Sequence, residues 1–405
     1  MTRVVITGAG CITPIGQDVA SFSENLFAGR TGIREMQNRP ADLHFSRTAT
    51  VEDFQQQEWL TASQRQIAER SSSFAIAAAR QAVQQSALVA AYPADSIAII
   101  FGCSTGGRTT EDQESEKLYT RGGRIHPLTV PRVMASAGTS LVSMEHSITG
   151  PAFTITTACA SGTHAIGLAF QMVRSGAVNA ALTGAHEAPL TYMFLKAWDS
   201  IHVVSPTACR PFAGDRDGMT LAEGAAIFAI ESFASAQSRG AEILAEIVGF
   251  GMSSDAHHIT QPNPAGPAAA MQRALDDANA SPSEVGYINA HGTGTEANDR
   301  VEAEAIHRVF GERARTLAIS STKGLHGHAM GASGAMELLA TVLAFRRNLL
   351  PANAGLAETG SQVDPTLHLD HILLQNEPAS PSLALSSSFA FGGLNAVLAV
   401  RPFAA

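Results

Sequence analysis

A thiol, two imidazoles and a lysine–carboxylate pair stand in segments whose residue types suit acyl transfer. Cys159 lies in FTITTACASGTHAIG, where an apolar strand ends and Ser-Gly opens an apolar helix. A thiol there meets the positive end of the helix dipole and unpaired N–H groups. Both favour thiolate, and such sites can bring a cysteine from about 8.5 to roughly 3.5–7.5. Thiolate is the nucleophile that acyl transfer needs. The competing reading is a small buried core residue, a common fate of free cysteine.

His291 follows a strand end in NAHGTGTEANDRVEAEA, residues 289–305. Its glycines let the backbone approach a ligand closely, and Thr293 and Thr295 offer hydroxyls. A lone histidine is more often packed structure, but one in a Gly/Thr loop at a strand end is a better catalytic candidate. Asn298, Asp299 and Glu302 are placed to cap or brace the loop. His328 lies in SSTKGLHGHAMGASGAMELL, residues 320–339, with Lys323 before it and Glu337 inside the following apolar helix. A buried carboxylate needs a partner, and Lys323 or a histidine is the obvious one. A purely structural ion pair is the alternative. Phe391-Gly392-Gly393 turns between two strand-like runs, where backbone N–H groups could face a developing oxyanion.

The elements that must hold these residues alternate. Strands are expected at 4–7, 97–101, 152–156, 179–183, 225–231, 242–249, 285–289, 317–320, 383–386 and 396–400. Helices are expected at 64–86, 161–174, 267–279, 297–310 and 333–347. Such alternation argues for an α/β fold with largely buried sheets. The helices 161–174 and 333–345 are apolar nearly all round, so both belong between layers. Ala160-Ser161-Gly162 and Ala332-Ser333-Gly334 open them alike. This weak internal repeat suggests two similar halves, 1–250 and 251–405.

Composition bounds the rest. With 405 residues, 45% of them hydrophobic and 16% charged, the chain can bury a large core. A net charge of -9 and no basic run argue against nucleic acid. Cys11, Cys103, Cys159 and Cys209 show no CxxC or zinc spacing, so reduced thiols, a cytoplasmic location and no metal are expected. No apolar run is long enough to span a membrane, and the N-terminus lacks signal-peptide character. Gly8-Ala9-Gly10 mimics a dinucleotide fingerprint, but Thr13 stands where the third glycine belongs. His164 and His186 read as core. His257 and His258 sit in a loop that could edge an entrance, with plain surface the expected reading.

As a set, TACASG, HGTGTEAND, STKGLHGHAMGASGA and FAFGG resemble the β-ketoacyl-acyl carrier protein synthases of the elongating, type II kind, and the match spans nearly the whole chain. The resemblance implies the thiolase fold, two similar halves in a five-layer αβαβα sandwich, usually dimeric. It implies Cys159 as acyl acceptor, His291 and His328 as the pair supporting malonyl decarboxylation, and Lys323 with Glu337 as the supporting polar pair. It also implies Phe391 as an aromatic gate whose N–H joins that of Cys159 in an oxyanion hole. Thr293, Thr295, Phe391 and Gly392 would contact substrate, and no cofactor is required. Ala160, Gly324, His326, Ala213, Met219, Ala390 and Leu394 depart from the common pattern. None belongs to the Cys-His-His set, and together they point toward a specialised pathway such as polyene or polyketide assembly.

The implied reaction is a decarboxylative condensation of an acyl-enzyme with malonyl-acyl carrier protein. The implied partners are that carrier and a like or related subunit. Because the carrier is acidic, Arg65, Arg70, Arg121 and Arg124 are candidates for its docking patch. A non-catalytic chain-length subunit would lack Cys159. A thiolase would need a second cysteine in the C-terminal half, and none follows Cys209. An initiating synthase would place Asn where His328 stands.

Overall fold

The computed structural model describes residues 2–403, leaving aside the side chains of 357 and 358. Ten strands form one mixed sheet. They are β1 (Val4–Ile12), β2 (Ile97–Gly102), β3 (Ala152–Ile155), β4 (Ala180–Glu187), β5 (Gly224–Ser232), β6 (Ala245–Ser254), β7 (Tyr287–Asn289), β8 (Ala318–Ser320), β9 (Ala384–Ala390) and β10 (Leu394–Pro402). Six helices matter here: α1 (Arg70–Ser86), α2 (Ala137–His146), α3 (Ser161–Arg174), α4 (Ala265–Asp277), α5 (Glu296–Phe310) and α6 (Ser333–Arg347).

The strand order is β8-β7-β9-β10-β6-β1-β5-β4-β2-β3. Counted outward from the middle, the second five strands repeat the order of the first five. The pairing sense repeats too. β3-β2-β4 and β8-β7-β9 are parallel, whereas β4-β5-β1 and β9-β10-β6 are antiparallel. The two units join where Val4–Ile6 pair with Ala245–Ile247, so residue 250 itself lies inside β6. Parallel neighbours need helical crossovers, and those repeat as well, with α1, α2 and α3 matching α4, α5 and α6 in chain order.

Five layers result. α1 and α2 cover one half of the sheet, and α4 with α5 covers the other. α3 and α6 lie between and touch both halves. That position explains their sequences, because Ser333–Phe345 is buried on every side. The two helices approach closely at small residues. A Cβ at Gly334 would stand 2.0 Å from Thr163 Oγ1. This is the thiolase-type αβαβα sandwich. No helix among the described residues is long and apolar enough to cross a membrane.

Two local expectations need correction. The helix expected over 64–86 is broken, since a short helix ends at Ile67 and α1 begins at Arg70. Glu69 accepts the Ser71 N–H while Ser72 Oγ accepts the Glu69 N–H, and this reciprocal cap restarts the helix. The helices Arg108–Arg121 and α2 were not expected from the pattern.

Candidate active site

β3 ends at Ile155, and a short loop delivers Cys159 just ahead of α3. Ala158 turns through a left-handed φ of 48°. Ser161 closes the loop, its Oγ donating to Ala158 O at 2.7 Å and accepting the Thr157 N–H at 2.9 Å. Cys159 is 7% exposed. Burial pushes its thiol up to about 12, with the Lys323 ammonium pulling it back and the Glu187 carboxylate pushing further. Desolvation thus works against the helix end, which favours thiolate.

A nitrogen able to take a proton lies close by. His328 Nε2 lies 3.1 Å from Cys159 Sγ. Its backbone is pinned by an N–H bond to Thr220 O at 2.7 Å, and Ser333 Oγ lies 2.7 Å from its Nδ1. His291 stands beside it, ring centroids 5.5 Å apart and planes at 84°. Burial, with help from Lys323, holds both imidazoles well below their usual 6.5, so both are neutral at physiological pH.

Behind His291, the wholly buried Lys323 and Glu337 form an ion pair, and Lys323 Nζ also donates to His291 O. Nζ lies 3.4 Å from His291 Nδ1. The His291 loop is braced from α5. Glu302 accepts N–H bonds from His291 at 2.8 Å and Gly292 at 2.7 Å, and Asp299 accepts those of Thr293 and Gly294. Burial raises Glu302 to about 8.

Cys159, His291, His328, Thr293, Thr295, Phe391 and Gly392 line one cavity of about 270 Å³. Lys323 and Glu337 do not line it and lie behind His291. Thr293 and Thr295 are hydrogen-bonded to each other at 2.9 Å, and Thr295 also caps α5. Trp198, Ile201, Val203, Met219 and Phe389 make the rest of the wall largely apolar. His258 is exposed, as expected, and also edges this cavity, its Nδ1 accepting the Thr260 and Gln261 N–H groups. His164 and His186 are buried, as expected.

Arg70 leaves the candidate docking set. Its guanidinium is committed inward to Glu223 and Val51 O. Arg65 is half-buried on Leu60 O, while Arg121 and Arg124 are exposed.

Three residues near the site escaped sequence reasoning. Trp198 packs on Phe391, centroids 5.5 Å apart. Glu187 accepts N–H bonds from Ser104 at 2.7 Å, Thr105 at 3.1 Å and Gly331 at 3.2 Å, tying the two halves together beside Cys159. Ser333 was visible only as part of a repeat.

Models of the β-ketoacyl synthase N-terminal and C-terminal domains match residues 1–236 and 244–357. The chain belongs to the β-ketoacyl synthase family. The synthase is 38% identical over 417 residues to 3-oxoacyl-(acyl-carrier-protein) synthase 2 of Staphylococcus aureus (strain COL), covering 100% of this chain and 99% of that one. Among solved structures it is similar to the ishigamide ketosynthase/chain length factor, with TM-score 0.92, 32% identity and full coverage of both chains. It is also similar to a type II PKS ketosynthase solved with its acyl-carrier protein, with TM-score 0.89, 27% identity, and 99% and 100% coverage. The synthase is thus a condensing acyltransferase.

Proposed function

We propose that Cys159 is the acyl-accepting nucleophile and that His291 and His328 drive decarboxylation of a malonyl thioester. One observation carries the reading: a sulfur from the first half and two neutral imidazoles from the second converge on a single apolar-walled cavity, with His328 Nε2 3.1 Å from Sγ. The thiol proton passes to His328 as sulfur attacks the acyl carrier thioester, and the departing pantetheine sulfur takes that proton. The Cys159 and Phe391 N–H groups hold the tetrahedral oxyanion.

Malonyl carrier protein then enters. Both histidines donate from Nε2 to its thioester oxygen, the bond to the carboxylate breaks, CO2 leaves, and the electron pair becomes an enolate. Each such donor is worth about 3 kcal/mol in comparable acyl-transfer sites. Neutral imidazoles suit this task because each can donate one hydrogen bond. The enolate carbon attacks the Cys159 thioester, the 3-oxoacyl product departs on its carrier, and one solvent proton restores the thiol. Lys323 and Glu337 hold His291 from behind; Thr293, Thr295 and Gly392 contact the incoming substrate.

The carrier is an acyl carrier protein in the cytoplasm, and Arg121 and Arg124, both exposed, are the basic groups left to meet it. A homodimer, or a pair with a chain-length subunit, is supported by the free edge of the sheet. β3 ends it with an apolar AFTI run whose Phe153 is 38% exposed. Leu118, Tyr119, Val130 and Met144 are exposed as well. An open apolar edge invites pairing.

Replacing Cys159 by Ala tests the reading. Condensation is expected to vanish while some CO2 release from malonyl carrier persists. Retained condensation removes Cys159 from the role.

A further inference from the structure

Behind the two reactive imidazoles the Nδ1 atoms face different chemistry. His291 Nδ1 lies 3.4 Å from the Lys323 ammonium. An ammonium only donates, so this nitrogen must keep its lone pair and Nε2 must carry the hydrogen. His291 is therefore a fixed donor into the cavity. His328 Nδ1 instead faces the Ser333 hydroxyl at 2.7 Å. Among the described residues, that hydroxyl has no other hydrogen bond and His328 Nδ1 has no other partner. A hydroxyl both donates and accepts, so either tautomer of His328 leaves Nδ1 satisfied.

The proposed reaction asks for both tautomers. Acyl loading needs a lone pair on Nε2 to take the Cys159 proton. Decarboxylation needs a hydrogen on Nε2 to give to the thioester oxygen. We propose that Ser333 is a positioning residue that lets His328 change tautomer between the half-reactions, its hydroxyl accepting from Nδ1–H during loading and donating to bare Nδ1 during decarboxylation. The inference rests on the reading of Cys159 and His328 given above. Ser333 opens α6 and is wholly buried, so water does not replace the hydroxyl there.

Removing the hydroxyl breaks the symmetry between tautomers. A buried unpaired N–H is rarer and costlier than an unpaired acceptor. Without its partner, Nδ1 sheds its hydrogen, Nε2 keeps one, and His328 remains a donor but loses its capacity as a base. Ser333→Ala should therefore slow acyl transfer to Cys159, and alkylation of Cys159 by iodoacetamide, by about tenfold or more. CO2 release from malonyl carrier protein, compared between Cys159→Ala and Cys159→Ala with Ser333→Ala, should change by less than about threefold, since the donor tautomer is the one retained. Alanine is smaller than serine and carries no new polar group, so the variant is expected to fold, as its thermal unfolding midpoint will confirm. Equal loss in both half-reactions, or unchanged loading, overturns the proposal. His328→Ala separates the two levels. If it leaves loading untouched, the underlying reading of His328 as proton acceptor fails. If it slows loading while Ser333→Ala does not, Ser333 alone falls.

Discussion

In each half of the molecule an Ala-Ser-Gly step opens the central helix, at Ser161 in α3 and at Ser333 in α6. The two serines occupy corresponding places in the repeated topology, yet they face different partners. Ser161 bonds twice to its own loop, at Ala158 O and Thr157 N–H, and so shapes the turn that presents Cys159. Ser333 reaches an imidazole nitrogen. The duplicated frame fixes where a hydroxyl stands, and what lies opposite decides whether it braces backbone or meets an imidazole. The same division holds more widely. The first half gives the sulfur, the second gives both rings, and Glu187 of the first holds Gly331 of the second so that they meet.

This contrast can be broken at several points. The largest effect is expected for His328→Ala, which should cut malonyl decarboxylation roughly 100-fold or more, measured as CO2 release, with the fold intact. An unchanged rate would take the chemical role from His328 and, with it, the contrast between Ser161 and Ser333. Next, Glu337→Leu strands the Lys323 ammonium among buried groups and should cost about 3–5 kcal/mol in denaturant unfolding. Replacing Lys323 by Met together with Glu337 by Leu should restore much of that loss. A double variant no better than the single one would mean that the stranded ammonium is not the source of the loss.

Acid bears on the two halves alike, because each holds a histidine, His186 in the first and His326 in the second, that is at most 1% exposed and lies away from the cavity. Burial lowers His186 to about 4 and His326 to about 3, the latter with added repulsion from Lys323. Both folded values lie below the unfolded 6.5, so their contribution is complete above pH 6.5 and is lost as pH falls toward the folded values. Replacing His326 by Thr should flatten the acid loss of stability by up to about 1.4 kcal/mol per pH unit in that window. Unfolding midpoints between pH 7 and 5 would report it, and an unaltered slope would contradict it. The smallest effect is expected for Ser161→Ala, about 1–2 kcal/mol of stability from two lost bonds, with the ratio of acyl loading to decarboxylation unchanged.

Much of the site was legible in the sequence because its residues are set by local backbone. Cys159 precedes a helix, His291 follows a strand, His328 sits in a glycine-rich turn, and the two Ala-Ser-Gly steps announced the duplication. What escaped depends on packing across the halves. The burial of Cys159 in the central layer, which opposes the helix end that the sequence displays, is one such feature. The break at Glu69 carries no proline or glycine, only a carboxylate cap with a serine returning the bond. The helix Arg108–Arg121 is polar nearly throughout, so no apolar stripe marked it. Arg70 looked like surface charge until Glu223, far along the chain, proved to be its partner.

The most direct measurement is peptide-level mass spectrometry of the synthase after mixing with acyl-charged carrier protein, followed by addition of malonyl carrier protein. The acyl mass should appear on the peptide holding Cys159 and leave it as the longer 3-oxoacyl carrier forms. An acyl group found on another residue, or product formed while Cys159 stays unmodified throughout, would contradict the account.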